Sequence, residues 1–169
     1  MLTFGSLIVT MCYMKLLMDS DCLIKLTKAG LKDLVGKNYM IFIPSVVQEE
    51  VVIAGKEKGC ADATVVEENI KNGVIQIIKK RLSYATGDEA VIGLFQRTGY
   101  NAVATDDAKL IRRLRLHNIP FILPALILFK LFQNNLIEEK TARWALDQLA
   151  PFISKDEYST VHLLMEKLK

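Results

Sequence analysis

The sequence predicts an α/β fold in which helices cover both faces of a central, mainly parallel sheet of about five strands. The first observation is a set of short apolar runs of strand length, several of them rich in β-branched residues, at 15–18, 40–43, 74–78, 102–104 and 121–123. The second is that a segment with helical periodicity follows each run, and strands that alternate with helices form parallel sheets. The third is size, because 169 residues with 51% hydrophobic content suffice for one domain with a core.

The segments that follow the first two runs predict short helices. Residues 22–28 and 31–35 have helical spacing on either side of Gly30. Asp21 stands immediately before the first of these segments, where an N-cap residue is expected. Pro44 directly follows the second run and predicts that a helix begins there, because proline is tolerated in the first helical turn.

Caps and periodicity predict the later helices. Apolar positions between 65 and 70 indicate a helix that ends at Asn72 and Gly73, a pair typical of helix C-termini. Thr86 and the acidic residues after it predict the start of the next helix. Beyond Glu138, apolar residues recur at helical spacing without a chemical motif, so we expect helices there that cap the sheet.

Composition favours an intracellular protein. The three cysteines are an odd number, are widely spaced and form no CxxC pair, which indicates a reducing compartment, and we expect a cytoplasmic location. Residues 119–132 are apolar but contain Pro120, Pro124 and Lys130, so no membrane span is expected. The formal net charge of +3 permits a polyanionic partner without requiring one.

The N-terminal boundary of the fold is predicted at Met14, which begins the sequence MKLLMDSD. We expect residues 1–13 to be an extension outside the fold and residues 14–169 to form a single domain. The extension lacks the basic segment and the small-residue cleavage site of a signal peptide.

Acidic residues stand at or beyond the ends of the apolar runs. Asp19 follows the first run and Asp106 with Asp107 follows the fourth, while Glu50 and Asp88 lie in helices that follow a strand. Ligands of parallel α/β sheets collect outside the carboxyl ends of the strands, so these residues are expected to meet at one edge. Carboxylate oxygens suit Mg²⁺ or Mn²⁺, which activate water and neutralise a phosphodiester during its cleavage. The sequence therefore predicts a hard-metal site.

The order of the acidic motifs resembles that of the PIN-domain nucleases, a metal-dependent family that includes the VapC-type toxins of toxin–antitoxin pairs. Between residues 14 and 131 the motifs are MDSDCLIKL, IPSVVQEEV, TGDEAVIGL and ATDDAKLIRRL. The resemblance implies a three-layer α/β/α sandwich and endonucleolytic cleavage of single-stranded RNA, with Mg²⁺ or Mn²⁺ as the cofactor.

Carried over by position, the resemblance implies a set of four catalytic carboxylates. Three of them would also bind the metal, Asp106 would be an accessory metal ligand, and Glu50 would complete the catalytic set. The implied metal ligands are therefore Asp19, Asp88, Asp107 and Asp106, and the implied catalytic residues are Asp19, Glu50, Asp88 and Asp107.

Two residues are expected to support the carboxylates, and two of the carboxylate assignments have an adjacent alternative. Ser20 matches the small hydroxyl residue that commonly follows the first aspartate of the family and supports the site, and Thr105 is the threonine of the last motif. Glu49 remains an alternative to Glu50, since the two are adjacent. Glu89 remains an alternative to Asp88 for the same reason.

Basic residues that follow the last motif are candidates for phosphate contact. Lys109, Arg112, Arg113 and Arg115 lie on the helix that leaves the predicted site, where they could hold RNA phosphates, and we favour Arg112 and Lys109. His117 is expected to cap the end of that helix or to lie on the surface.

Two other functions stay open. The DSD sequence at 19–21 also resembles the start of haloacid dehalogenase-like phosphatases, with Asp19 as the nucleophile. Leu23 departs from the pattern of that family, and Glu50 and Asp88 would have no role in it. The other alternative is a non-catalytic PIN-like module that binds RNA or protein.

The expected partners follow from the resemblance. They are an RNA substrate and, for a toxin, an antitoxin protein. A homodimer is a further expectation, since the apolar helices after Pro124 could supply an interface, although they could equally be part of the core.

Overall fold

A computed structural model describes residues 14–79, 86–97 and 99–168, so the predicted extension at 1–13 lies outside the described residues. Within the described ranges five strands form one sheet, and all their pairings are parallel. They are β1 (Lys15–Met18), β2 (Met40–Pro44), β3 (Ile75–Ile78), β4 (Ala102–Ala104) and β5 (Phe121–Ile122). Their order across the sheet is β3-β2-β1-β4-β5, which confirms the predicted α/β class with a parallel sheet.

Helices connect and flank these strands. In chain order they are α1 (Ser20–Lys28), α2 (Lys32–Asn38), α3 (Ser45–Gln48), α4 (Ala54–Glu57), α5 (Ala61–Lys71), α6 (Gly87–Phe95), α7 (Ala108–Leu116), α8 (Pro124–Gln133), α9 (Glu139–Leu149) and α10 (Lys155–Glu166). A π-helical segment, Glu49–Ile53, joins α3 to α4, and a short 3₁₀ turn, Ala150–Phe152, follows α9.

Alternation along the strands divides the core between the two faces of the sheet. In β1, Leu16 and Met18 belong to one buried cluster and Leu17 to the other. The paired strand β4 repeats the division, with Ala104 in the first cluster and Val103 in the second. All five residues are buried, as expected for a parallel sheet covered on both faces.

Different helices cover the two faces. The first cluster contains buried residues of α1, α2, α5 and the C-terminal helices, and the second contains buried residues of α6 and α7. The arrangement is a three-layer α/β/α sandwich, as the resemblance implied.

The C-terminal helices belong to the first of these layers. Ala142 and Leu146 of α9, with Val161 and Met165 of α10, are buried in the first cluster together with Leu128 of α8. Helices therefore form in this region, as predicted, and they pack with α8 in the layer on this face of the sheet. No helix in the described ranges is both long and apolar enough to cross a lipid bilayer.

Two local predictions require correction. Asp21 was expected to cap the first helix, but the N-cap is Asp19, which has extended backbone angles and accepts a hydrogen bond from the Cys22 N–H. The helix was expected to begin at Pro44, but this residue ends β2 and is the N-cap that precedes α3. In both cases the carboxyl end of a strand passes directly into the next helix without an intervening loop.

Gly30 separates α1 from α2, as the sequence predicts. Gly30 follows α1 with a φ of +70°, a backbone conformation that glycine adopts without a steric penalty. The chain can therefore turn at once into α2 and return to the start of β2.

Candidate active site

Neighbouring strands bring the first and last acidic motifs together. Met18 and Ala104 are paired in the register of β1 and β4, and the Asp19 N–H donates to the Ala104 carbonyl at 3.3 Å. Asp19 and the segment Thr105–Asp107 therefore leave the sheet side by side at its carboxyl edge. This is the edge at which parallel α/β sheets bind ligands.

Thr105 joins the two aspartates through its hydroxyl. The Thr105 Oγ1–H donates to Asp19 Oδ2, and Thr105 Oγ1 in turn accepts from the Asp107 N–H at 3.1 Å. Asp19 Oδ1 accepts from the Cys22 N–H at 2.8 Å, so both carboxylate oxygens of Asp19 are hydrogen-bonded. Because Thr105 is completely buried, these bonds fix the position of the Asp19 side chain.

Burial has a strong effect on the charge of Asp19, whose side chain is only 7% exposed. Desolvation raises the pKa of Asp19 from 3.8 to about 7, although the hydrogen bonds from Thr105 and the Cys22 backbone act to lower it. The negative charges of Asp21 and Asp106 make smaller contributions to this raised pKa. A positive ligand at this position would relieve both the desolvation and the repulsion.

Asp107 is positioned as the N-cap of α7. Its Oδ1 accepts from the Lys109 N–H at 2.6 Å and from the Leu110 N–H at 2.8 Å. Capping orients the carboxylate and leaves Oδ2 outside these two bonds. Asp107 is thus held in place by the backbone of its own helix and by the Thr105 hydroxyl.

Glu50 reaches the site from the π-helical segment between α3 and α4. Its carboxylate lies against Gly87 at the start of α6, where a β-carbon built on the glycine would be 3.3 Å from both Oε1 and Oε2. A glycine at this position therefore gives the carboxylate access to the N-terminus of α6. Single turns of π-helix inside α-helices occur frequently at functional sites.

Asp88 lies in the first turn of α6, which Thr86 caps by accepting from the Glu89 N–H at 3.3 Å. Asp88 Oδ2 accepts from Arg113 Nη1 at 3.4 Å, and both side chains are about one-third exposed. Arg113 belongs to α7, so this contact connects α6 to α7, the helix that Asp107 caps.

These elements surround one cleft, which we call the acidic cleft, with a volume of about 450 Å³. All four predicted catalytic residues line it, which are Asp19, Glu50, Asp88 and Asp107. The predicted support residue Ser20 and the predicted phosphate contact Lys109 line it as well. Thr105 supports the cleft from the buried side through Asp19 and Asp107.

Two predicted residues lie elsewhere. Asp106 Oδ2 forms an ion pair with Lys25 Nζ at 2.5 Å, and the Asp106 side chain lines a separate cavity with Glu157 of α10. Arg112 is exposed on α7 and is outside the lining of the acidic cleft. The structure therefore groups Asp106 with α1 and α10 and turns Arg112 towards solvent.

The structure excludes Glu49 from the acidic cleft but includes Glu89, the other alternative ligand. Glu49 is exposed and outside the lining of the cleft, whereas Glu50 is part of it. Glu89 and Asp88 both line the cleft, so the geometry keeps both as candidate ligands. Asp21 lines the cleft too, although the sequence assigned it only a capping role.

Arg113 was one of the basic candidates but not a favoured one, and the ion pair of Lys25 with Asp106 was not predicted from the sequence. Arg113 lies four residues after Lys109, so helical periodicity puts the two on the same face of α7, and this spacing was the available signal. Lys25 precedes Asp106 by 81 positions in the chain. No local pattern connects such distant residues, so their ion pair became visible only in the folded structure, where α1 meets the segment that follows β4.

The donor set suits a hard divalent cation, since every candidate ligand in the cleft offers carboxylate oxygens. Within the described ranges, however, no group of three or more His, Cys, Asp or Glu side chains is arranged closely enough to hold an ion as placed. Asp19 and Asp107 are engaged in hydrogen bonds, and Asp88 contacts Arg113. Ion binding would require these side chains to converge, and the repulsion at Asp19 favours it.

Comparison with known proteins agrees with the architecture of the site. A family model described as a PIN domain matches residues 15–166 of the chain. No curated protein sequence matches it. PIN domains are generally nucleases and typically use divalent metal ions. Because the match extends from the first strand to the last helix and includes the whole acidic cleft, the chain belongs to the PIN-domain family.

Proposed function

We propose that this protein is a metal-dependent endoribonuclease that hydrolyses phosphodiester bonds of single-stranded RNA. The observation that carries the proposal is one cleft lined by the four predicted carboxylates, which come from four separate segments of the chain, and by two basic side chains. Carboxylates without histidine or cysteine suit Mg²⁺ or Mn²⁺, and a basic wall beside them suits a phosphodiester substrate.

The acidic side chains would hold the ion. Asp19, Asp88 and Asp107 are the proposed ligands, and Glu50 faces them from the π-helical segment. When bound, such an ion lowers the pKa of water and neutralises charge on the phosphate. Thr105 acts through others as a positioning residue, since its hydroxyl contacts both Asp19 and Asp107.

The basic side chains would hold the substrate. Lys109 and Arg113 lie one helical turn apart on α7 and both line the acidic cleft. The Arg113 guanidinium contacts Asp88 at 3.4 Å, a distance at the long end of hydrogen bonding. Since that contact is partly exposed, it contributes little stability, and Arg113 can exchange Asp88 for a phosphate oxygen at small cost.

The phosphatase alternative has less support. Asp19 would have to act as a free nucleophile, yet it is only 7% exposed, with both oxygens engaged by Thr105 and the Cys22 backbone. That mechanism would also leave Glu50 and Asp88 without a role in a cleft that they line. The toxin role, the antitoxin partner and the homodimer rest on the resemblance alone and stay predictions.

The test is cleavage of mixed single-stranded RNA in Mg²⁺ or Mn²⁺ by the wild type and by Asp19→Asn and Asp107→Asn. We expect each substitution to lower the cleavage rate at least about 100-fold, the scale on which loss of one electrostatic contact to the reacting group lowers kcat. Asp33→Asn is the matched control, because Asp33 is an exposed residue of α2 outside the cleft. Cleavage that survives both cleft substitutions, or a wild type inactive with both metals, would refute the proposal.

A further inference from the structure

A second cavity adjoins the acidic cleft and shares Glu50 with it. This cavity, which we call the lysine pocket, has a volume of about 190 Å³ and lies between α1, α4 and the start of α5. Its apolar wall includes Ile24, Val51 and Ala54, and its rim includes Lys28. The pocket is smaller than the roughly 300–1,000 Å³ of sites for drug-sized ligands, so it suits a single small group.

Two helical stripes run from the acidic cleft into the lysine pocket. On α1, Ser20 lines the cleft, while Ile24 and Lys28 line the pocket. These three residues are spaced by four and therefore lie on one face of the helix. Lys28 is eight residues beyond Ser20, which corresponds to about 12 Å along the helix axis. One face of α1 thus forms a continuous wall of both cavities.

The opposite wall has the same continuity. Val47 and Glu50 line the acidic cleft, and Glu50, Ala54 and Lys58 line the lysine pocket. Behind this wall α4 packs closely on α5, since a β-carbon built on Gly55 would be 2.9 Å from the Ala63 β-carbon. The pocket is therefore formed by packed helices, and Glu50 marks the point at which the two cavities meet.

At the far end two lysines, Lys28 and Lys58, line the pocket together with one carboxylate, Asp62. Within the described part of the chain Lys58 forms no ion pair, and it is exposed. Lys28 is 46% exposed and its Nζ is 3.8 Å from Asp62 Oδ2, close to the limit of an ion pair. Such an exposed pair has little energy to lose when a phosphate replaces the carboxylate. An apolar wall beside two available cations matches the base or ribose and the phosphate of one nucleotide.

We propose that the lysine pocket binds a nucleotide of the substrate strand that flanks the scissile bond, with Lys28 and Lys58 on its phosphate. The inference rests on the proposed function for the identity of the strand. Lys109 and Arg113 hold the strand on one side of the carboxylates, and the lysine pocket holds it on the other. A strand held on both sides of the carboxylates is cut internally.

Cys60 offers a local probe, because it is exposed and lines the lysine pocket, whereas Cys22 is buried. In a Cys12→Ser background, maleimide alkylation of Cys60 is measured in EDTA, with and without a single-stranded oligoribonucleotide. We expect saturating RNA to slow the alkylation at least about fivefold. An unchanged alkylation rate while the RNA is bound overturns the inference, as does a failure of the protein to bind RNA.

Charge substitutions supply the second measurement, by fluorescence anisotropy of the same RNA in EDTA. Lys28→Gln and Lys58→Gln should each lower the slope of log K against log salt by about 0.7, the value for one lost phosphate contact on a single strand. Lys28→Arg and Lys58→Arg should restore the slope. Lys37→Gln is the matched control, because Lys37 is exposed at the C-terminal end of α2. This helix leads into the amino end of β2, whereas the acidic cleft lies at the carboxyl ends of the strands.

These experiments can refute the lysine pocket and the nuclease proposal independently of each other. Wild-type slopes in both glutamine variants overturn the lysine pocket, even where metal-dependent cleavage is intact. A wild type that binds RNA and shows protection of Cys60, but cleaves no RNA with either metal, would overturn the nuclease proposal and leave the pocket as a site for a single-stranded nucleic acid.

Discussion

The hydroxyl of Thr105 donates a hydrogen bond to the carboxylate of Asp19, and both side chains are buried at the carboxyl edge of the sheet. The donor oxygen also accepts from the Asp107 N–H at 3.1 Å. One side chain therefore sets the relative position of two carboxylates that come from different strands. Its removal should affect the site more than the fold.

Thr105→Val tests this role with a side chain of nearly the same shape. The substitution leaves Asp19 Oδ2 and the Asp107 N–H without the Thr105 hydroxyl as a partner. We therefore expect the free energy of unfolding, measured in urea, to fall by about 1–3 kcal/mol. The cleavage rate should fall about 10–100-fold, as it does when groups that orient metal ligands are removed. Thr105→Ser retains the hydroxyl and should recover most of the rate. A valine variant with a wild-type rate would show that the hydroxyl does not position the carboxylates.

Asp19 should make the stability of the metal-free protein depend on pH. Its pKa is 3.8 when unperturbed and about 7 in the folded protein. The folded state therefore holds a proton that the unfolded state releases between these values, and stability falls as pH rises from about 4 to about 7. The contribution of Asp19 to this fall is on the order of 4 kcal/mol, since one pKa unit corresponds to about 1.4 kcal/mol.

Urea unfolding in EDTA across this pH range measures the effect. Asp19→Asn cannot titrate, so its stability should fall less over the same range. Glu157 adds a slope of the same sign in both proteins, because burial raises its pKa as well. Identical pH profiles for the two proteins would contradict the raised pKa of Asp19. Added Mg²⁺ should stabilise the wild type increasingly as pH rises through 7, since the ion binds the ionised carboxylate.

Strand positions could be predicted from the sequence because apolar runs and helical periodicity depend on local spacing. The carboxylates Asp19, Glu50, Asp88 and Asp107 were found because each stands in a short motif near a strand end, and the sheet gathers those ends in one cleft. The ion pair of Lys25 could not be found in this way, because its partner Asp106 is distant in the chain and only the folded structure brings α1 to the segment that follows β4.

Asp106 and Asp107 are neighbours in the chain, and a pair of substitutions separates their roles. Asp106→Asn removes the charge that Lys25 contacts at 2.5 Å, and that pair is only 26% and 15% exposed. We expect a loss of stability of about 1–3 kcal/mol with a small change in cleavage rate. Asp107→Asn should show the reverse, a large loss of rate with a small loss of stability. A large loss of rate in Asp106→Asn, with stability unchanged, would instead support its role as an accessory metal ligand.

Gly87→Ala tests the position of Glu50. The new β-carbon would be 3.3 Å from both carboxylate oxygens, so the flexible glutamate has to move by a few tenths of an ångström. We expect the cleavage rate to fall about threefold to tenfold without a loss of melting temperature, because alanine is the better helix former. Gly99→Ala is the control, since a β-carbon there meets no atom of the described chain within 4 Å. Equal rates in the two variants would show that the exact position of Glu50 is unimportant for cleavage.

Arg112 and Arg113 provide a matched test of phosphate contact, because they are adjacent and carry the same charge. Arg113 lines the acidic cleft, whereas Arg112 is exposed outside it. With RNA binding measured in EDTA at several salt concentrations, Arg113→Gln should lower the slope of log K against log salt by about 0.7. Arg112→Gln should change it much less, because a charge that contacts no phosphate adds only to the general field of the protein. The opposite ranking would restore the expectation from the sequence, in which Arg112 was the favoured contact, and would require RNA to follow the outer face of α7 rather than the cleft.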